Sequence, residues 1–451
     1  MNNILKRSCI LNPLKDYSHF ADECERLYQS VSDSEIKGRG YSGLSVADRW
    51  ERFARTKGEK ELVCLISGEC ANALISENGE AVWTGVALTA KAFGIESAWI
   101  CCDGGVSVPD EYFSVAFKPA FFEHSVSSGE ETLLFSKIEG SLPITRPKPP
   151  YPIDKGLFGK PTLIHSAELF AHFPYILENL DRNTKLCCVF GDVGRPGIYE
   201  VDLGESVLDI VNAAEKQEVK AVQVGGINGT ILPENGLSIA YDYDSFRNKG
   251  LYFGDGSLRV MNHAHCIAHE IYKSLYETYR CSCGRCVFCR EGLYQLYLLM
   301  EDLINGKATD SDLNLIKDLA SIIKENAGCE FGKMTAAMIC DAMEDFYDEI
   351  EAHTRNKCKA LACPGMFTVH ILPDKCSGCG ECEKRCRSNA ISGGEKLIHV
   401  IDQNKCTKCM ECAPCTENAL VRAGTQKPAC PDRPIPVGTF VQKKKGLQKR
   451  T

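Results

Sequence analysis

Eight cysteines between positions 376 and 415 constrain this chain more than any other feature. Cys376, Cys379, Cys382 and Cys386 follow the pattern C-x₂-C-x₂-C-x₃-C. Cys406, Cys409, Cys412 and Cys415 repeat it one residue shorter, with Pro414 just before Cys415. Three thiolates at that spacing wrap three corners of a cubane iron–sulfur cluster from one tight loop, and in tandem runs the fourth ligand comes from the other run. The rule assigns one cluster to Cys376, Cys379, Cys382 and Cys415, and a second to Cys406, Cys409, Cys412 and Cys386. Arg387 and Thr416 stand where the usual pattern has proline. Zinc is the competing ion, but four-cysteine zinc sites usually come as two separated C-x₂-C pairs. A segment of this kind moves single electrons.

The other cysteines fit the same chemistry. With 26 in 451 residues the chain is cysteine-rich, yet far too long for a disulfide miniprotein. Metal-bound thiolates in a reducing compartment account for them better. Apolar residues at 44% and charged residues at 25% describe an ordinary globular protein of about three domains. A net charge of −8 argues against nucleic acid as the main partner. No apolar run reaches the length of a membrane span, and Met1 to Lys15 lacks a signal-peptide core. The expectation is a cytoplasmic protein that meets any membrane system through a partner.

Along the chain, a polar opening with Gly38-Arg39-Gly40 leads to a helix around Ala47–Thr56. An α/β pattern follows, with a strand at Leu62–Ser67, a helix at Ala81–Phe93 and a strand at Ser97–Cys102. A proline-rich linker runs from Pro143 to Pro161. Residues 184–240 read as a small β-rich unit: strands near Leu186–Phe190, Ile198–Asp202 and Ala221–Val224, a helix at Ser206–Lys216, and glycine turns at 225–226 and 228–229. Helical periodicity over 263–279, 291–304, 310–326 and 333–352 suggests a four-helix bundle. A basic tail with Lys443, Lys444, Lys445, Lys449 and Arg450 closes the chain and is expected to be disordered.

A third cluster site lies in the helical stretch. Cys283, Cys286 and Cys289 again sit at x₂ spacings just before a helix, and Cys329 follows forty residues on. Three ligands from a loop and one from a later inter-helix turn would hold a cluster at one end of a bundle. Arg285 and Arg290 would help offset its negative charge. Cys358 and Cys363 lie near the tandem runs without an assigned role.

Arg280–Gly292, R-C-S-C-G-R-C-V-F-C-R-E-G, resembles the E-S-C-G-x-C-x-P-C-R-x-G motif of the NADH-binding flavoprotein (51-kDa-type) subunits of complex I and of NAD-linked and bifurcating hydrogenases. Gly38–Trp50 is similar to that family's G-R-G-G-A-G-F-P-T-G-x-K-W, and Ser128–Gly140 to its C-G-E-E-T-A-L-x-x-S-I-E-G. Lys148–Thr162, Gly225-Gly226 and Phe253–Val260 match later segments, so the resemblance covers about residues 35–355. It implies a mixed fold, α/β plus α: a Rossmann-like FMN/NAD domain over 1–170, a β-grasp domain of the soluble-ligand-binding type (SLBB) over 171–260, and a four-helix bundle with one [4Fe–4S] cluster over 261–355. A ferredoxin domain with two [4Fe–4S] clusters follows over 356–425, and the basic tail over 426–451.

Position by position, the resemblance implies a cofactor cradle. Gly38, Arg39, Gly40 and Gly43 match the glycine loop for FMN and NADH, with Arg49 in place of a lysine. Gly129, Glu130 and Glu131 match an acidic turn facing flavin and nucleotide, and Lys148 and Tyr151 hold the adenosine end. Glu168 is retained, and Glu69 survives from N-A-D-E-x-E-P-G; Glu69 and Glu131 are the candidate catalytic residues. Several positions depart: Tyr41 replaces a glycine, whose bare backbone would let a phosphate approach, and His165 and Ser166 replace paired asparagines. The implied function is electron transfer between NAD(H), FMN and three [4Fe–4S] clusters as an NADH dehydrogenase-like oxidoreductase. The alternative is a paralogue that lost NAD and perhaps FMN and serves as an iron–sulfur relay and docking subunit. Expected partners are a thioredoxin-like 2Fe–2S subunit, a hydrogenase- or formate dehydrogenase-type catalytic subunit, or a ferredoxin.

Overall fold

The computed structural model describes residues 4–41, 43–102, 104–122, 129–413 and 415–441; Ser128, Pro414 and the basic run from Lys443 to Arg450 lie outside them. Contacts divide the chain into two units. The first comprises Met1–His263, Ile271–Leu298 and Asn314–Tyr347, and the second Ala264–Glu270, Leu299–Leu313 and Asp348–Thr451.

In the first unit, β1 (Ile4–Lys6), α1 (Cys24–Ser32) and α2 (Val46–Ala54) precede a parallel sheet. Its elements are β2 (Glu61–Leu65), α3 (Gly68–Ala92), β3 (Ser97–Cys102), β4 (Glu111–Tyr112), β5 (Val115–Phe121), α4 (Glu131–Ile138), β6 (Thr162–Ser166) and α5 (Ala167–Leu177). The strand order is β4-β5-β3-β2-β6, parallel except for the β4–β5 pair. The consecutive apolar residues of β2 suit a strand covered on both faces. Helix α3 starts well before Ala81 and breaks at Asn78 (φ −151°, ψ 52°). The Asn78 amide donates to the Ile10 carbonyl at 2.7 Å and the Tyr175 hydroxyl at 2.8 Å, so the interruption is satisfied internally. Helices α3 and α5 approach closely at Gly85, where a Cβ would come within 2.0 Å of the Phe170 carbonyl oxygen. Because β3 and β6 flank β2 on opposite sides, the chain reverses direction there. In open parallel sheets, ligand crevices form beyond the strand carboxyl ends at such a reversal.

A second sheet has the order β1-β8-β7-β11-β9-β10. It is built from β7 (Thr184–Gly191), β8 (Gly197–Asp202), α6 (Val207–Ala213), β9 (Ala221–Val224), β10 (Thr230–Pro233), α7 (Tyr243–Asn248) and β11 (Leu258–Met261). Val189, Val222, Val260 and Phe253 are among the residues of its core. Buried Glu200 on β8 accepts from the Ile10 and Leu11 amides at 2.7 and 3.1 Å and from the Thr184 hydroxyl at 2.7 Å. One carboxylate thereby anchors the N-terminal segment to this sheet.

The helical stretch comprises α8 (Ile267–Arg280), a π-helical turn at Phe288–Leu293, α9 (Tyr294–Ile304), α10 (Asp310–Asn326), α11 (Glu330–Asp345) and α12 (Tyr347–Glu351). The helix expected over 333–352 is interrupted at Phe346 (φ −123°). In the second unit, β12 (Thr368–Ile371) precedes the cysteine runs, α13 (Glu381–Arg385) carries Cys382 within the first run, and β13 (Ile391–Ser392) and β14 (Val400–Ile401) lie between the two. β15 (Leu420–Ala423) then pairs antiparallel with β12, and β13 with β14. Beyond β15 the chain folds back, and the Ile398 amide donates to the Ile435 carbonyl at 2.7 Å.

Candidate iron–sulfur centres

The tandem runs place their thiols in crossed groups of four. Cys382 feels the charges of Cys376, Cys379 and Cys415, while Cys412 feels those of Cys406, Cys409 and Cys386. Burial pushes the Cys382 thiol up to about 12. Such a thiol is neutral on its own near pH 7, and binding a cluster would require it to release its proton. Cys386 Sγ accepts the Ala390 amide at 3.3 Å and lies 3.5 Å from the Ser388 hydroxyl. Ile371, Ile391 and Ile398 pack beside these sulfurs, while Cys379 and Cys409 remain exposed.

In the first unit, Cys289 feels the charges of Cys329, Cys286 and Cys283, and its burial pushes it up to about 12. The π-helical turn carries Cys289 inward. Cys329 sits just ahead of α11, where the Phe331 and Gly332 amides point at its sulfur. Gly332 leaves room for that approach, since a Cβ there would lie 2.5 Å from Cys289 Sγ. The Thr145 hydroxyl lies 3.7 Å from Cys283 Sγ. Arg285 donates to the Thr145 carbonyl and Arg290 to the Gly284 carbonyl at 3.1 Å. Both arginines therefore brace the loop backbone.

The residues expected to cradle FMN and NAD(H) are close together but committed to one another. Buried Arg39 donates to the Thr184 carbonyl at 2.7 Å, the Lys37 carbonyl at 2.7 Å and Asn183 Oδ1 at 2.8 Å. Glu168 accepts from the Leu186 amide at 2.6 Å and pairs with buried Lys185 at 3.3 Å. Arg49 pairs with Glu131 at 3.2 Å, and Lys148 with Glu130 at 3.1 Å and Glu131 at 3.6 Å. Glu130 also caps α4 by accepting the Leu133 amide at 2.8 Å. Gly43 (φ +54°) lies under the Tyr243 ring, Gly38 donates to the Leu44 carbonyl at 2.8 Å, and Gly40 faces open space. A Cβ on Gly129 would lie 2.5 Å from Tyr41 Cε2, so that ring rests on the glycine. Tyr151 is half-exposed beside the Arg52 guanidinium, and Glu69 lies 3.9 Å from the Cys188 sulfur. Tyr41 covers Gly129 although the tyrosine itself is 40% exposed, Gly40 stays open, and the nearby cations are paired within the chain.

A fourth thiol-rich group lies within the second unit. Cys266, His353, Cys358 and Cys363 are all buried, with donor atoms within 4.8 Å of one another. His353 Nε2 lies 3.2 Å from both Cys266 Sγ and Cys363 Sγ, and the two sulfurs are 3.5 Å apart. His353 Nδ1 donates to the Glu349 carbonyl at 2.9 Å, which leaves Nε2 free to ligate. Three thiols and one imidazole suit a tetrahedral zinc ion. Sequence reading flagged Cys358 and Cys363 but missed Cys266, which lies 87 positions from His353. The short-range signal is the even spacing of His353, Cys358 and Cys363 after a helix.

Comparisons with known proteins bear on the iron–sulfur segments. Residues 270–353 match the NADH-ubiquinone oxidoreductase-F iron–sulfur binding region, and residues 369–392 match the 4Fe–4S binding domain. The NADP-reducing hydrogenase subunit HndC of Solidesulfovibrio fructosivorans is 34% identical over 60% of this chain, a match spanning 59% of HndC. An F-type NADH-quinone oxidoreductase subunit of Rhizobium meliloti (strain 1021) is 25% identical over 74% of this chain and 90% of its own length. In fold, the chain is similar to the NAD⁺-reducing [NiFe]-hydrogenase in its H₂-reduced state, with TM-score 0.71 and 23% identity over 78% of this chain and 68% of that one. The chain is thus similar to F-type subunits of NADH-quinone oxidoreductases and to NAD(P)-reducing hydrogenase subunits, two of its segments match 4Fe–4S family models, and it spans less than two thirds of HndC. No helix among the described residues is long and apolar enough to cross a membrane.

Proposed function

We propose that this chain is the iron–sulfur electron-transfer subunit of a multi-subunit oxidoreductase, passing electrons singly among three [4Fe–4S] clusters, with a zinc ion at Cys266, His353, Cys358 and Cys363. The observation that carries it is the gathering of twelve cysteines into three groups of four. Bound clusters supply one-electron storage. The chain's part is to hold the sulfurs, pack Ile371, Ile391 and Ile398 against them, and direct amide N–H groups at Cys329 and Cys386.

The domain reading keeps 1–170 as the Rossmann-like domain, 171–260 as a β-grasp (SLBB) domain, 261–355 as the helical cluster domain and 356–425 as the ferredoxin domain. The relatives are named as subunits, which supports partners within a redox complex. Abundant unbridged thiols support a reducing, cytoplasmic setting. Anaerobically purified protein is expected to contain about twelve irons per chain. Four or fewer would overturn the proposal.

A second reading, NAD(H) oxidation or reduction through FMN, is favoured by one observation. Glu69 and Glu168 follow the carboxyl ends of β2 and β6, where the parallel sheet reverses direction. Extractable FMN together with NADH-driven dye reduction would establish that reading.

A further inference from the structure

We infer that Tyr41 fills the flavin position of this cradle, so that the chain exchanges electrons only one at a time, with one-electron carriers and not with a nicotinamide. This rests on the three-cluster proposal and narrows it by naming the partner chemistry.

Three independent arrangements carry it. First, a glycine at position 41 would leave the Gly129 backbone open to an aromatic or phosphate group, whereas here the Tyr41 ring already rests on it. The Tyr41 hydroxyl is close enough to Asp255 and Lys185 to feel their charges, while the side chain remains 40% exposed.

Second, the charges are spent. Arg39 serves three acceptors of the chain itself, Lys185 is held by Glu168 and the Arg39 carbonyl, and Arg49 and Lys148 share Glu130 and Glu131. A dianionic phosphate would have to compete with carboxylates already in contact.

Third, the positions of the two missing asparagines face inward. The His165 ring accepts the Trp50 indole N–H at 3.0 Å in the buried core. The Ser166 hydroxyl caps α5 by accepting the Leu169 amide at 3.4 Å. Neither is directed at a ligand.

Without flavin no group here takes two electrons from a hydride, and each cluster gains or loses one electron with no bond made or broken. A one-electron carrier is therefore the matching donor or acceptor.

The test uses the full chain with reconstituted clusters, comparing wild type with Tyr41→Gly by quenching of FMN fluorescence. Expected is no saturable quenching with wild type and an affinity gain of at least about tenfold in the variant. NADH should leave the wild-type cluster absorbance unchanged, while a reduced ferredoxin bleaches it. Saturable FMN binding by wild type overturns the inference. So does failure of both proteins to bind, because Tyr41 would then not be what closes the cradle. Should Tyr41→Gly misfold by circular dichroism, Tyr41→Ala carries the same comparison. Iron content in the same samples reports separately on the three-cluster proposal, whatever the flavin result.

Discussion

The sulfur groups and the nucleotide cradle belong to one chain, and they differ in where their polar atoms point. Around Cys289, Cys382 and Cys412 the sulfurs converge on common centres, with thiols raised by burial in each group. Around Gly129 the opposite holds: Glu130, Glu131, Lys148, Arg49 and Arg39 satisfy one another or the backbone. Buried donors that face each other unpaired need a guest, and donors paired within the chain do not. A fold can therefore persist after the chemistry in one of its pockets has been replaced by internal bonds.

The sharpest way to break this contrast is at Cys329. Cys329→Ala is expected to lower iron from about twelve to about eight per chain and leave the ferredoxin pair loaded, measured by iron analysis and cluster spectroscopy. Unchanged iron would remove Cys329 from the ligand set. Next in size is Cys266→Ser, expected to take zinc from about one per chain to none in metal analysis while iron stays constant. Retained zinc, or zinc missing from wild type, would sink that site.

In the cradle, substitutions should change stability and leave metal content alone. Glu168→Gln strands the buried Lys185 ammonium and is expected to lower unfolding free energy by about 3 kcal/mol in denaturant titrations. A loss near zero would mean that this pair is solvated and open to ligands.

The smallest effect is expected at Asp341 on α11, 3.6 Å from Lys324 and near Glu344 and Asp345. Burial outweighs the lysine and raises its carboxyl from 3.8 to about 6. Protonated Asp341 is favoured by folding, so its contribution is full below about pH 4 and is lost as pH rises through about 6. Asp341→Asn should then gain about 1–2 kcal/mol at pH 7.5, discounted for partial exposure, and almost nothing at pH 4. An equal gain at both values would rule out titration as the cause.

Local spacing made the sulfur groups legible. Cys283, Cys286 and Cys289, like the tandem runs, carry their geometry in consecutive turns of chain. The strand–helix–strand alternation from Glu61 to Cys102 was equally open to reading, although β5, α4, β6 and α5 went unread, as did the start of α3. Its first turns match a loop motif in sequence, and only tertiary bonds from Asn78 to Ile10 and Tyr175 account for the break. The Cys266–His353 contact and the Tyr41–Gly129 contact join residues 87 or more positions apart. No periodicity reports such pairings. The return of the chain at Ile435 onto Ile398 was hidden for the same reason, since the segment before the basic run has no strand pattern of its own.

The antiparallel pairing of β12 with β15 sets Thr368 opposite Ala423, on either side of both cysteine runs. The segment's two ends therefore lie shoulder to shoulder, as in units that nature splices into host proteins without disturbing them. Both ends of the wire thus leave from one place, and the segment returning at Ile435 covers it from outside that loop.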